Sequence, residues 1–148
     1  MYGPKAYINK AYFNKNLLNI RKYIGNRNLM LVVKANAYGH GALEISSLIK
    51  DKSWLVLCVF TVDEALQFRK YGIKNKILIF SRIEKEWLSI AVKKDFSINI
   101  SNLNDFSIIS EFYSKTNSCP SFHLKFDTGM TRLGFEKKDL KKVLEFLF

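Results

Sequence analysis

A short apolar run followed by an amphipathic stretch occurs five times along this chain, at intervals of roughly 20 to 25 residues. The runs are Leu29–Val33, Trp54–Phe60, Lys76–Phe80, Phe96–Ile100 and Ser121–Phe126. Leu29–Val33 is continuously apolar, and such a run suits a strand buried on both faces, as in a parallel sheet. Helices are predicted between them. One covers residues 40 to about 50, and another opens at Thr61-Val62-Asp63-Glu64, a capping box, and stops at Gly72. A third runs from Glu84 to Lys94, and a fourth is capped by Asn102 and carries Phe106, Ile109 and Tyr113. After the last run, Leu140, Val143, Leu144 and Leu147 form one stripe. Before the first, Phe13, Leu17, Ile20 and Ile24 repeat at helical spacing over residues 9–24, with Gly25 placed as the stop.

Alternation of this kind demands a parallel sheet with right-handed crossovers. Two architectures satisfy it, an open doubly wound sheet and part of a (β/α)₈ barrel, and periodicity does not separate them. A barrel needs eight strands and typically about 250 residues. This chain of 148 residues holds five βα units and runs out inside a helix at Leu147-Phe148, an ending that reads as truncation.

The formal net charge of +11 raises the question of nucleic acid or a membrane surface as partner. The lysines are scattered over nearly every predicted helix, however. The one cluster, Lys137, Lys138, Lys141 and Lys142, falls on the polar side of an amphipathic helix and is expected to be a solvated face. Neither partner is expected, though such a field still draws in anionic small molecules. No apolar run reaches the roughly 18 residues of a membrane span. Met1–Lys10 has no apolar core of a secretory signal. Cys58 lies in an apolar run, where a thiol packs as a small hydrophobe, and a cytoplasmic chain with reduced Cys58 and Cys119 is expected.

Two segments carry chemistry. In Val32-Val33-Lys34-Ala35-Asn36-Ala37-Tyr38-Gly39-His40-Gly41, a lysine stands at the carboxyl end of a predicted buried strand. A lysine there is either snorkelling to solvent or serving as a nucleophilic amine. Desolvation lowers an amine's pKa, and the neutral amine attacks an aldehyde. Gly39 and Gly41 let the backbone turn tightly, Tyr38 is placed to reach a phosphate oxygen, and His40 reads as a capping or packing residue. The second segment is Phe122-His123-Leu124-Lys125-Phe126-Asp127-Thr128-Gly129-Met130-Thr131-Arg132-Leu133-Gly134-Phe135. Lys125, Asp127 and Arg132 follow another strand, at the end where parallel α/β folds bind ligands. Arginine's planar fork suits carboxylate or phosphate oxygens, and the competing reading is an Asp127–Arg132 loop salt bridge. His123, alternating with apolar neighbours, reads as structural.

The run VVKANAYGHG is similar to the cofactor-lysine signature of the alanine racemase family, and HLKFDTGMTRLGF to that family's second motif. Their separation matches too, as does the intervening Phe60-Thr61-Val62-Asp63-Glu64-Ala65, so the resemblance runs from about Ala6 to Phe135. It implies a partial (β/α)₈ TIM-like barrel, with residues 1–148 forming the N-terminal portion and with the later strands and a C-terminal β domain absent. It implies pyridoxal 5'-phosphate as cofactor, no metal, and interconversion of L- and D-alanine to supply D-alanine for peptidoglycan. It also implies a cytoplasmic homodimer. By resemblance, Lys34 carries the cofactor covalently and is one of two proton-transfer bases. Tyr38 is similar to the tyrosine that hydrogen-bonds the cofactor phosphate. Arg132 resembles the arginine near the cofactor's phenolic oxygen and the substrate carboxylate. Lys125 matches a lysine that is carbamylated in many members and orients that arginine. The opposing tyrosine base, the arginine facing the pyridine nitrogen and most phosphate-binding amides belong to later parts of the family's chain. Two alternatives stay open. One is another pyridoxal-phosphate barrel, an amino-acid decarboxylase or a cofactor-homeostasis protein, although those lack the YGHG continuation. The other is a non-catalytic truncated remnant.

Overall fold

The computed structural model describes residues 5–147. The start of the Met1–Lys10 stretch and the chain end at Phe148 lie outside them. Five strands follow one another in the sheet order β1-β2-β3-β4-β5, the order of the chain. They are β1 (Leu29–Val32), β2 (Leu55–Val59), β3 (Ile77–Ile79), β4 (Phe96–Ile100) and β5 (Phe122–Leu124). The expected βα alternation is therefore present, strand by strand. The chain divides into two compact units at Ile77/Leu78.

In the first unit, α1 (Lys10–Ile24) starts where the Asn9 side chain accepts from the Tyr12 amide, and it ends at Gly25. Of its apolar stripe Leu17 is buried, while Ile20 is 40% exposed. Strand β1 pairs in parallel with β2, from Leu29↔Leu55 to Val32↔Cys58. Every residue of β2 is buried, as its sequence demands. Burial pushes the Cys58 thiol up to about 11, so this cysteine packs rather than reacts. Helix α3 (Ala42–Ile49) buries Ile45 and Ile49, and α4 (Val62–Lys70) buries Ala65 and Phe68. Fully burying such a side chain is worth roughly 1.5–3 kcal/mol.

Strand β1 corrects one expectation. It is not buried on both faces, since Met30 and Val32 are 47% and 37% exposed. They share one face by the strand's period of two, and β1 is the first strand in the sheet order, with a neighbour on one side only. Strand β5 departs in the same way, at the other end of that order. It is three residues long, with Phe122 and His123 exposed.

In the second unit, β4 pairs in parallel with β5, from Ile98↔Phe122 to Ile100↔Leu124. Helix α5 (Lys85–Lys93) buries Trp87, Leu88 and Ala91. Helix α6 (Leu103–Thr116) is capped by Asn102 and buries Phe106 and Ile109. The Phe106 ring stacks at 5.8 Å on Phe135 and at 4.9 Å on Phe146 of α7 (Leu140–Leu147). Val143 is the buried member of the α7 stripe, with Leu140, Leu144 and Leu147 between 37% and 47% exposed. The lysine cluster at 137–142 is exposed throughout, a solvated face as expected.

Candidate active site

Strand β1 ends its ladder where the Val33 amide donates to Cys58 O at 2.9 Å, and Lys34 is the next residue. The backbone then does something the sequence did not announce. Ala35, Asn36, Ala37 and Tyr38 all have φ between +51° and +55°, so α2 (Lys34–Tyr38) is a helical turn of left hand. For a residue with a Cβ this costs roughly 1–2 kcal/mol each. Such strain persists only where the surroundings over-determine it, and here they do. The Ala37 amide donates to Val33 O and the Gly39 amide to Ala35 O. The Asn36 side chain accepts from the Ala42 amide at 2.7 Å, tying the turn to the start of α3. His40 Nδ1 lies 2.8 Å from Ala37 O, a bond that its Nδ1–H tautomer donates. His40 thus holds the turn, in keeping with its capping role. Gly39 relays the chain out at φ +82°, left-handed but free of penalty for glycine.

The consequence falls on Lys34. Its Nζ stands 6.0 Å from the Tyr38 ring centroid and 5.7 Å from that of Phe60. Among the described residues no carboxylate pairs with it. The expected choice between a snorkelling lysine and a working amine therefore turns on a half-exposed, unpaired ammonium against two aromatic rings. Phe60, which the sequence marked as the end of the second apolar run and part of the intervening stretch but not as a site residue, is a member of this cluster. Tyr38 is 59% exposed, and its hydroxyl makes no hydrogen bond among the described residues.

The second segment follows β5. The Asp127 amide donates to Phe135 O and the Phe135 amide to Lys125 O, so residues 127–134 form a loop pinched at its base. Gly134 sits in the pinch at φ +132°, where a Cβ would come within 2.6 Å of the Asp127 nitrogen. Replacing Gly134 with alanine is expected to destabilise the protein by roughly 1–3 kcal/mol through backbone displacement and strain. Thermal or urea unfolding checks it, as a lowered midpoint with an unchanged m-value.

The alternative reading of Asp127 as the salt-bridge partner of Arg132 does not hold. Asp127 Oδ1 accepts from the Gly129 amide at 2.8 Å. The amides of Gly129, Thr131 and Met130, with a smaller contribution from Lys125, hold its carboxyl below the usual range. The carboxylate thus serves its own loop. Arg132 has no ion pair or hydrogen bond among the described residues. It lines a cleft of about 500 Å³ with Asp127, Thr131, Glu136 and Lys137. Lys125 is half-buried at the base of the same loop.

A parallel sheet with a lysine at the end of its first strand and a free arginine in the loop after its fifth defines the first part of a lysine-bearing α/β barrel. The chain belongs to the alanine racemase family: residues 8–148 match the family's N-terminal domain. It is 38% identical over 139 residues to alanine racemase of Fusobacterium nucleatum, covering 94% of this chain and 38% of that protein. It is 35% identical over 139 residues to lysine racemase of Oenococcus oeni, covering 93% and 37%. The crystal structure of alanine racemase from Oenococcus oeni superposes with a TM-score of 0.80 at 35% identity, over 93% of this chain and 40% of that one. The chain therefore spans about two fifths of the relatives it matches. Its fold is that of the N-terminal barrel domain, as the alternation and the two motifs implied.

Proposed function

We propose that this chain provides the lysine-bearing part of a pyridoxal-phosphate alanine racemase, with Lys34 as the residue that holds the cofactor. The observation that carries the reading is an unpaired Lys34 amine, set beside two rings on a strained turn that several hydrogen bonds maintain. The residues fit such a group chemically: an amine for its aldehyde, the Tyr38 hydroxyl for a phosphate oxygen, and the Arg132 fork for an anionic oxygen of cofactor or substrate. When bound, the cofactor supplies an electron sink that acidifies the Cα–H of an amino acid. The chain's own part is to hold the cofactor through Lys34 Nζ and to take up or return a proton at that same atom. Lys125, if carbamylated, becomes an anion that orients Arg132. By the family resemblance a tyrosine of a partner subunit serves the opposite face, which makes the working form a homodimer. The same reading makes it a cytoplasmic enzyme whose D-alanine feeds peptidoglycan.

The relatives include a racemase named for lysine as well as several named for alanine, so the assay offers both substrates. Full-length protein with added pyridoxal phosphate is expected to form D-alanine from L-alanine faster than D-lysine from L-lysine. Carbon dioxide release without D-amino acid would instead identify a decarboxylase, and no turnover of either kind would favour the remnant.

A further inference from the structure

The Thr61–Glu64 capping box is present as the sequence implied: the Glu64 amide donates to Thr61 Oγ1 at 3.2 Å, and the Thr61 amide returns to Glu64 Oε2 at 3.1 Å. A capping box needs only one carboxylate oxygen. Here Oε2 also accepts from the Phe60 amide at 2.7 Å, and Oε1 reaches across to the Ala35 amide at 2.6 Å, 29 residues back along the chain. The Ala35 amide follows the last ladder bond of β1, at Val33, and is the first amide of the left-handed residues. Glu64 thus takes over where the sheet stops.

We propose that Glu64 is a positioning residue for Lys34. Its carboxylate latches the left-handed turn to the end of β2, so that the lysine is fixed on both sides, by the Val33 ladder bond and by the Ala35 bond. The same carboxylate fixes the backbone of Phe60, whose ring stands beside Lys34 Nζ. One group therefore sets both the amine and its aromatic neighbour. The bonds are short and charge-assisted, the stronger kind, and they offset part of the cost of four left-handed residues. The functional part of this inference rests on the reading of Lys34 given above; the latch itself does not.

Glu64→Gln in the full-length protein separates the two. The remaining oxygen keeps the local cap, and the new amide then faces the Ala35 N–H, donor against donor. Hydrogen exchange of the peptide covering residues 34–41 is expected to speed up about tenfold or more, the loss of one hydrogen bond to a charged group. Capture of pyridoxal phosphate on Lys34, trapped by borohydride and mapped by mass spectrometry, is expected to slow by a similar factor. Thr61→Ala is the companion variant, because it removes the cap bond and leaves the reach to Ala35. It is expected to loosen the start of α4 without the same change at 34–41. Unchanged exchange at 34–41 in Glu64→Gln overturns the latch, as does an equal loosening in Thr61→Ala, which would reduce Glu64 to a helix cap. Wild-type protein that captures the cofactor on another lysine overturns the reading of Lys34, while the exchange result still decides the latch.

Discussion

Full-length protein carrying Lys34→Ala is expected to bind pyridoxal phosphate without a reducible linkage and to lose essentially all racemisation. Two losses combine. On the proposed reading of Lys34, the variant lacks both the amine that fastens the cofactor and the atom that shuttles a proton on one face of the substrate. A positioned general base alone contributes about 10²–10⁴-fold, so the fall in kcat is expected to be at least about 10³-fold. The fold itself should survive, because Lys34 has no ion pair among the described residues. Circular dichroism and an unchanged urea midpoint check that point. A variant that keeps the visible absorbance of a lysine-linked cofactor, and keeps turnover, would show that another lysine does the work.

Arg132→Lys is expected to keep the charge and lose the fork. Arg132 is exposed in a cleft and is not spoken for, since Asp127 is held by its own loop amides. Its five donors are therefore available to an anionic oxygen, and a lysine presents only a point charge. A hydrogen bond to a charged group is worth about 1.5–3 kcal/mol, so kcat/KM is expected to fall by about 10- to 100-fold. If Arg132 meets the substrate carboxylate alike in ground and transition states, the change appears in KM. If it meets charge that develops only during reaction, kcat falls. Near wild-type values of both would return Arg132 to a structural role.

The order of elements was legible because it rests on local rules. Buried β2 reads as an unbroken apolar run and β4 as Phe96, Ile98 and Ile100 alternating with Ser97 and Asn99, Gly25 and Gly72 stop helices, and Thr61 and Asn102 start them. The edges were less legible, because burial of β1 and β5 depends on neighbours that a run such as Leu29–Val33 does not name. The site divides in the same way. Lys34, Tyr38 and Arg132 stand out by residue type and place in the motifs. The left-handed turn does not, since Ala35, Ala37 and Tyr38, unlike Asn36, carry no local preference for φ near +54°. Bonds within residues 33–42 and one from distant Glu64 hold it there. Glu64 shows the limit most clearly. Its spacing from Thr61 announces a capping box, while its second oxygen serves an amide 29 residues away that no local pattern connects to it. The Asp127–Arg132 pair failed for a related reason. Two opposite charges five positions apart look like partners, but backbone amides within the turn reach the carboxylate first.

The most direct test of the account is to find where the cofactor attaches. Full-length protein is loaded with pyridoxal phosphate, reduced with borohydride, digested and sequenced by mass spectrometry. The expected result is one reduced pyridoxyl group on the peptide containing Val33-Lys34-Ala35. Modification confined to Lys125, or to any other lysine, with Lys34 unmodified, would contradict it.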